Sequence, residues 1–80
     1  MYTTYILKSE KTGSYYYGHS ADIHNRLKRH NGGYVRSTKN KRPWGIHYME
    51  EFSTKSEAYK RELFFKSIDG YNWLKKNNII

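Results

Sequence analysis

Apolar and polar positions along the chain change period several times, and each change marks an element. Residues 3–8 (TTYILK) are β-branched and aromatic and read as a strand. The polar run 9–14, which carries Gly13, suits a hairpin turn. Ser14–Gly18 (SYYYG) reads as the partner strand, paired antiparallel because the two lie so close in sequence. In HSADIHNRLKRHNGG the period becomes helical. Ser20 is the expected N-cap, Asp22 suits the positive first turn, and Gly32-Gly33 stops the helix. Ile23, Leu27 and His30 share one face with Arg26 at its edge, while Asn25, Lys28 and Arg29 point outward. Arg26 and His30, four apart, are neighbours that look inward.

Residues 34–44 (YVRSTKNKRPW) form a cationic loop, and 45–52 (GIHYMEEF) read as a third strand. Thr54 and Glu57 have the capping-box spacing, so a second helix starts near Lys55 and runs to about Ser67. Asp69-Gly70 is expected to break it, and YNWLKKNN forms a short last helix. The order ββαβαα predicts an α+β fold: a small three-stranded antiparallel sheet flanked by helices.

Length and charge narrow the class. Eighty residues make one domain, 1–80, with a modest core. The absence of cysteine excludes disulfides and thiolate metal sites and agrees with a cytoplasmic location. No apolar run is long enough to span a bilayer, and MYTTYILKSE does not read as a signal peptide, so no membrane role is expected. Fifteen Lys and Arg against seven Asp and Glu give +8, which favours an anionic partner: nucleic acid first, an acidic membrane surface second. Nine Tyr, three Phe and two Trp argue against a disordered basic tail.

Three features carry candidate chemistry. In the second helix, Ala58, Tyr59, Leu63 and Phe65 span one arc, Phe64 lies opposite, and Glu62 falls in the middle of the arc. An inward carboxylate needs a partner. A metal ion, an ion pair with Arg26 or Lys66, or a helix tilt that exposes it would each serve. The tyrosines are the second feature. Hairpin pairing brings Tyr5 near one of Tyr15, Tyr16 and Tyr17, and alternation puts Tyr16 on the face opposite the other two; packing alone is the competing reading. The third is a spread of cations, Lys28, Arg29, Arg36, Lys39, Lys41 and Arg42, with Trp44 at the loop's end, suited to phosphate contact and base stacking or else simply solvated. His19, His24, His30 and His47 have no zinc-ligand spacing, and no nucleophile elbow is present.

Taken in order, these segments resemble the GIY-YIG nuclease superfamily, most closely its small single-domain bacterial branch, similar to the N-terminal domain of excision-repair incision subunits. Thr4-Tyr5-Ile6 resembles the first motif and Tyr16-Tyr17-Gly18 the second, with eleven residues from Tyr5 to Tyr16. SADIHNRLKRHNGG is similar to the family helix, with Arg26 at its arginine and His30 one turn on. RPWGIHYMEEFSTKSEAYKRELFFK puts Glu62 at the metal-binding glutamate. The likeness runs from Tyr2 to about Trp73. It departs from the family in Tyr17, where an aliphatic residue is usual, and in having no asparagine clearly at the supporting position of the last helix, although Asn72, Asn77 and Asn78 are nearby.

The resemblance implies hydrolysis of a DNA phosphodiester with one divalent ion, Mg²⁺ or Mn²⁺. It implies that Glu62 holds the metal and Arg26 sits against the scissile phosphate. Tyr5 would position or deprotonate the attacking water, and Tyr16 would hydrogen-bond a water of the ion or a phosphate oxygen. His30 would shuttle a proton or orient the phosphate. The substrate would be double-stranded or branched DNA, with DNA shape or a protein partner supplying specificity, in repair, recombination or defence against foreign DNA. Two rivals remain at this point: a non-catalytic nucleic-acid-binding module on the same fold, and a protein-interaction domain whose charge is incidental.

Overall fold

The computed structural model describes residues 1–80. Strands β1 (Tyr2–Ser9), β2 (Tyr15–Ser20) and β3 (Trp44–Phe52) form one sheet in the order β2-β1-β3, antiparallel throughout. Helices α1 (Ile23–Asn31), α2 (Lys55–Phe65) and α3 (Ile68–Lys76) complete the α+β arrangement, with a 3₁₀ turn at Lys39–Lys41. None of these helices is long and apolar enough to cross a membrane.

β1 is the central strand, and residues Thr3 to Leu7 are all buried, as a strand covered on both faces requires. Alternation divides its side chains. Tyr5 and Leu7 pack with Ile23 and Trp44, flanked by Tyr16, Leu27 and Ile46, so this face lies under α1. Ile6 packs with Phe65 and Leu74, flanked by Tyr15, Tyr17 and Tyr48, so the other face lies under α2 and α3. Tyr16 therefore faces away from Tyr15 and Tyr17, as alternation predicts. The hydroxyl of Thr4 donates to the carbonyl of Ala58 at 2.7 Å and ties α2 to the sheet. The Arg61 guanidinium makes a second tie. It grips Glu50 of β3 through Nε (2.7 Å) and Nη2 (3.2 Å) and lies 4.5 Å from the ring centre of Trp73 in α3.

Several boundaries differ from the sequence reading. β2 continues to Ser20, so the N-cap of α1 is Asp22, whose carboxylate accepts from the Asn25 N–H at 3.1 Å. The capping box of α2 forms in both directions. α2 stops at Phe65 and Ser67 caps α3, so Asp69-Gly70 lies inside a helix rather than between two. Gly70 serves close packing instead: a Cβ there would sit 1.7 Å from the carbonyl oxygen of Phe64. Tyr59 and Leu63, expected on the inner arc of α2, are each 47% exposed. The buried stripe is Ala58, Glu62 and Phe65, because Thr4 docks one end of it and Phe65 fills the core at the other.

Candidate active site

The Tyr5 phenol is the centre of a buried hydrogen-bond chain. In register Tyr5 lies opposite Gly18 of β2, not opposite a tyrosine. A Cβ at Gly18 would fall 2.6 Å from the Tyr5 hydroxyl, so glycine is what lets the ring lie over the edge strand. Tyr16, two positions earlier, comes within 6.5 Å of Tyr5 ring to ring and meets the His30 ring edge-on at 4.9 Å. His30, carried on the inner face of α1, is fully buried. Its Nε2 is 3.2 Å from the Tyr5 hydroxyl and its Nδ1 is 2.8 Å from the Thr38 hydroxyl.

Proton positions follow from the donor inventory. Thr38 donates its single hydroxyl proton to the Val35 carbonyl at 3.2 Å. It must then accept from Nδ1–H of His30, which leaves Nε2 as an acceptor for the Tyr5 hydroxyl. Burial holds His30 neutral, down to a pKa of about 4, and the nearby Arg26 charge adds to this. Burial also pushes the Tyr5 phenol up to about 12; the Arg26 guanidinium against it offsets this in part, while Tyr16 and the Glu62 charge reinforce it. The phenol is pushed up and the imidazole down, so at rest the proton stays on Tyr5 and not on His30. At rest the pair is an uncharged phenol hydrogen-bonded to an uncharged imidazole.

Glu62 is only 8% exposed. Its partners are not Arg26 but His19 and Lys66. His19 Nδ1 lies 2.7 Å from Oε1, and Lys66 Nζ lies 2.7 Å from Oε2 one helical turn away. Burial opposes ionisation of Glu62, but the hydrogen bonds and charges of Lys66 and His19 together outweigh it and hold the carboxyl below its usual range. The inward carboxylate is thus satisfied in part by the ion pair with Lys66, one of the partners the sequence allowed. No group of three or more His, Cys, Asp or Glu side chains converges to cage a metal. A single carboxylate still fits a hard divalent ion that keeps most of its own water, and Glu62 supplies one whose partner His19 lines a cavity.

The two halves of the site approach from opposite faces of the sheet. Tyr5, Tyr16, Arg26 and His30 belong to the α1 side. His19 pairs with Thr4 and, like it, faces α2, where Glu62 waits. Where β2 ends and the chain turns into α1 lies a cavity of about 480 Å³ lined by Tyr2, His19, Ser20, Ala21, Arg26 and Lys55, so Arg26 from one side and His19 from the other border it, while Tyr5, Tyr16, His30 and Glu62 lie behind its lining. Arg26 also has a buried Nε that has no hydrogen-bond partner.

The cationic loop is more tightly held than its composition suggests. Lys28, Arg29, Arg36, Lys39, Lys41 and Arg42 are all exposed. Trp44, expected to stack on bases, is a core residue: it is 4% exposed, packs with Tyr5, Leu7 and Ile23, and donates its indole N–H to the Thr38 carbonyl at 3.0 Å. As the first residue of β3 it falls on the α1 face. Tyr34, 76% exposed, is the open aromatic of this loop. His19, Thr38 and Lys66 complete the hydrogen bonding of the site, and of these only Lys66 carried a sequence signal, its i,i+4 spacing from Glu62.

Two strands bearing tyrosines, a helix bearing arginine and histidine, and a second helix bearing an inward glutamate define a nuclease-type α+β domain. The family model described as the GIY-YIG catalytic domain matches residues 1–77, and the chain belongs to this family. Its members are generally endonucleases and usually use divalent metals. A UPF0213 protein of Staphylococcus saprophyticus is 44% identical over 72 residues, spanning 89% of this chain and 87% of that protein. The UPF0213 protein YazA of Bacillus subtilis is 42% identical over 65 residues, 80% of this chain and 65% of that protein. The solution NMR structure of a UPF0213 protein from Bacillus halodurans superposes with a TM-score of 0.54 at 29% identity, covering 95% of this chain and 84% of that one.

Proposed function

We propose that this chain is a DNA endonuclease that hydrolyses phosphodiester bonds with one divalent ion, Mg²⁺ or Mn²⁺, held by Glu62. The observation that carries the reading is the orphaned Nε of Arg26. Buried donors in folded proteins almost always have a partner. Here the Arg26 guanidinium lies beside the Tyr5 phenol, the residue lines a cavity, and its buried Nε has no hydrogen-bond partner. An anionic phosphate oxygen entering that cavity would meet the guanidinium, whose planar fork suits it.

The chain's own residues then have distinct tasks. Arg26 holds the scissile phosphate. Tyr5, whose hydroxyl proton is committed to His30 Nε2, has oxygen lone pairs that can accept from the attacking water and orient it. With its phenol pushed up to about 12, Tyr5 is not a standing tyrosinate near neutral pH, so a proton would leave the water only in concert with the attack, along Tyr5 toward His30. Thr38 keeps His30 in the tautomer that can receive it. Tyr16, whose ring packs against His30, would hydrogen-bond a phosphate oxygen. A divalent ion on Glu62 would stabilise charge on the phosphate and the leaving oxygen. The exposed cations Lys28, Arg29, Arg36, Lys39, Lys41 and Arg42 would contact the DNA backbone, with DNA shape or a protein partner selecting the place of cutting.

The test is nicking of plasmid, flap and junction DNA with Mg²⁺ or Mn²⁺, with wild type beside Glu62→Ala and a gel shift run on both. Metal-dependent nicking lost in Glu62→Ala with DNA affinity kept is the expected result. Binding without nicking in the wild type makes the chain a binding module and overturns the proposal.

A further inference from the structure

The donor atoms around Glu62 carry the reading one step further, on the premise that Glu62 holds the metal. The geometry points to His19 as a second protein ligand of that ion, through Nδ1, making the site a mixed nitrogen and oxygen site selective for transition-metal divalents over Mg²⁺.

His19 Nδ1 and Glu62 Oε1 lie 2.7 Å apart. Two cis ligands of an octahedral divalent ion stand about 3 Å apart, so these atoms need to open by a few tenths of an ångström and the imidazole to turn its Nδ1 from the oxygen toward the ion. Lys66 holds the other oxygen, Oε2, at 2.7 Å, which leaves Oε1, the oxygen His19 faces, to take the ion and disfavours bidentate chelation by the carboxylate. The His19 ring is backed by Tyr59, with centres 5.3 Å apart, so it meets Glu62 in a defined orientation. His19 also lines the cavity that Arg26 shares, which gives an ion between Nδ1 and Oε1 a route in and room for its remaining waters.

Proton balance is simple. Without metal the bridging proton sits between Nδ1 and the carboxylate. Coordination needs a bare Nδ1, so the imidazole binds as its neutral Nε2–H tautomer and the bridging proton shifts to Nε2 or leaves to solvent. The consequence is metal choice. A site of one carboxylate and waters suits Mg²⁺ and Mn²⁺ alike, whereas an imidazole nitrogen adds affinity along the first-row series and little for Mg²⁺.

The experiment uses the full chain and Mn²⁺ alone as probe, followed by electron paramagnetic resonance. Mn²⁺ affinity is titrated, and echo-envelope modulation is read for directly bound nitrogen. In the wild type, nitrogen coupling is expected, together with Mn²⁺ affinity at least tenfold above that for Mg²⁺ measured by competition. His19→Ala should lose the coupling and about tenfold or more in Mn²⁺ affinity, with Mg²⁺ affinity little changed. His24→Ala should keep both. Mn²⁺ that depends on Glu62 yet shows no nitrogen coupling in the wild type overturns the role of His19 and leaves Glu62 as the metal ligand. Mn²⁺ binding indifferent to Glu62→Ala, or no binding at all, overturns both. The wild-type spectrum decides even if a variant fails to fold.

Discussion

Lowering the pH from 7 to 5 should weaken this fold through one side chain, His30. Its folded pKa is about 4 against an ordinary 6.5, because it is fully buried beside the Arg26 charge. Between those two values the unfolded chain takes up a proton that the folded chain refuses. The stability tied to neutral His30 is therefore full above 6.5 and is lost progressively as pH falls toward 4. Linkage with these values gives a loss of about 2 kcal/mol between pH 7 and pH 5. That is a large share of the roughly 5–10 kcal/mol a domain of this size has. At a urea m-value of about 1 kcal/mol/M, the midpoint should fall by about 2 M. Glu62 does not blur the window. Its carboxyl is depressed from 4.5, so its contribution is present above that value and is lost only as pH falls further. The assay is urea unfolding followed by intrinsic fluorescence at pH 7 and pH 5, for wild type and His30→Gln. Equal pH losses in the two proteins would refute the reasoning. So would a His30 ring whose NMR shifts titrate near 6.5 in the wild type, a readout that needs no variant.

Other predictions follow from the same geometry. Gly18→Ala places a Cβ 2.6 Å from the Tyr5 hydroxyl, so it should cost about 1–3 kcal/mol in thermal or urea melts; an unchanged melt would show that the phenol does not lie over β2. Thr38→Val leaves Nδ1–H of His30 buried without an acceptor and should cost about 1–3 kcal/mol, while Thr38→Ser should recover most of it; equal losses in both would assign Thr38 to packing alone. DNA affinity should fall steeply as salt rises, and replacing Lys39 and Arg42 together by Gln should lower the log–log slope by about 2; an unaltered slope would remove the loop from the DNA contacts. Arg26→Ala should slow nicking by about 100-fold to 1,000-fold, and a rate within a few-fold of wild type would take Arg26 out of the site.

Much of the arrangement was readable from local rules. Alternation alone separates Tyr16 from Tyr15 and Tyr17, and the structure puts them in different cores. The i,i+4 spacing of Arg26 and His30 brings both to the inner side of α1, and the capping box marks where α2 begins. What failed locally failed for tertiary reasons. Trp44 looks like the last residue of an open cationic loop, but Asn31 receives its backbone: the amide of Trp44 donates to Asn31 Oδ1 at 2.6 Å, which seats the indole in the core. Gly70 looks like a helix breaker, yet Phe64 packs so closely that only glycine fits inside α3.

The sequence by itself determined the order of elements, the pairing of β1 with β2, and the inward placement of Arg26, His30 and Glu62, because these depend on periodicity, spacing and capping within short stretches; the candidacy of Tyr5, Tyr16, Arg26, His30 and Glu62 as one site came from the family resemblance of the ordered motifs. Only the tertiary structure decided the partners. It gave Glu62 to Lys66 and His19 rather than to Arg26, tied His30 to Thr38 of the cationic loop, and left Arg26 Nε without a partner. The physical reason is range. A hydrogen bond between residues 43 apart, such as that of His19 with Glu62, depends on how α2 docks across β2, and no local pattern encodes that docking.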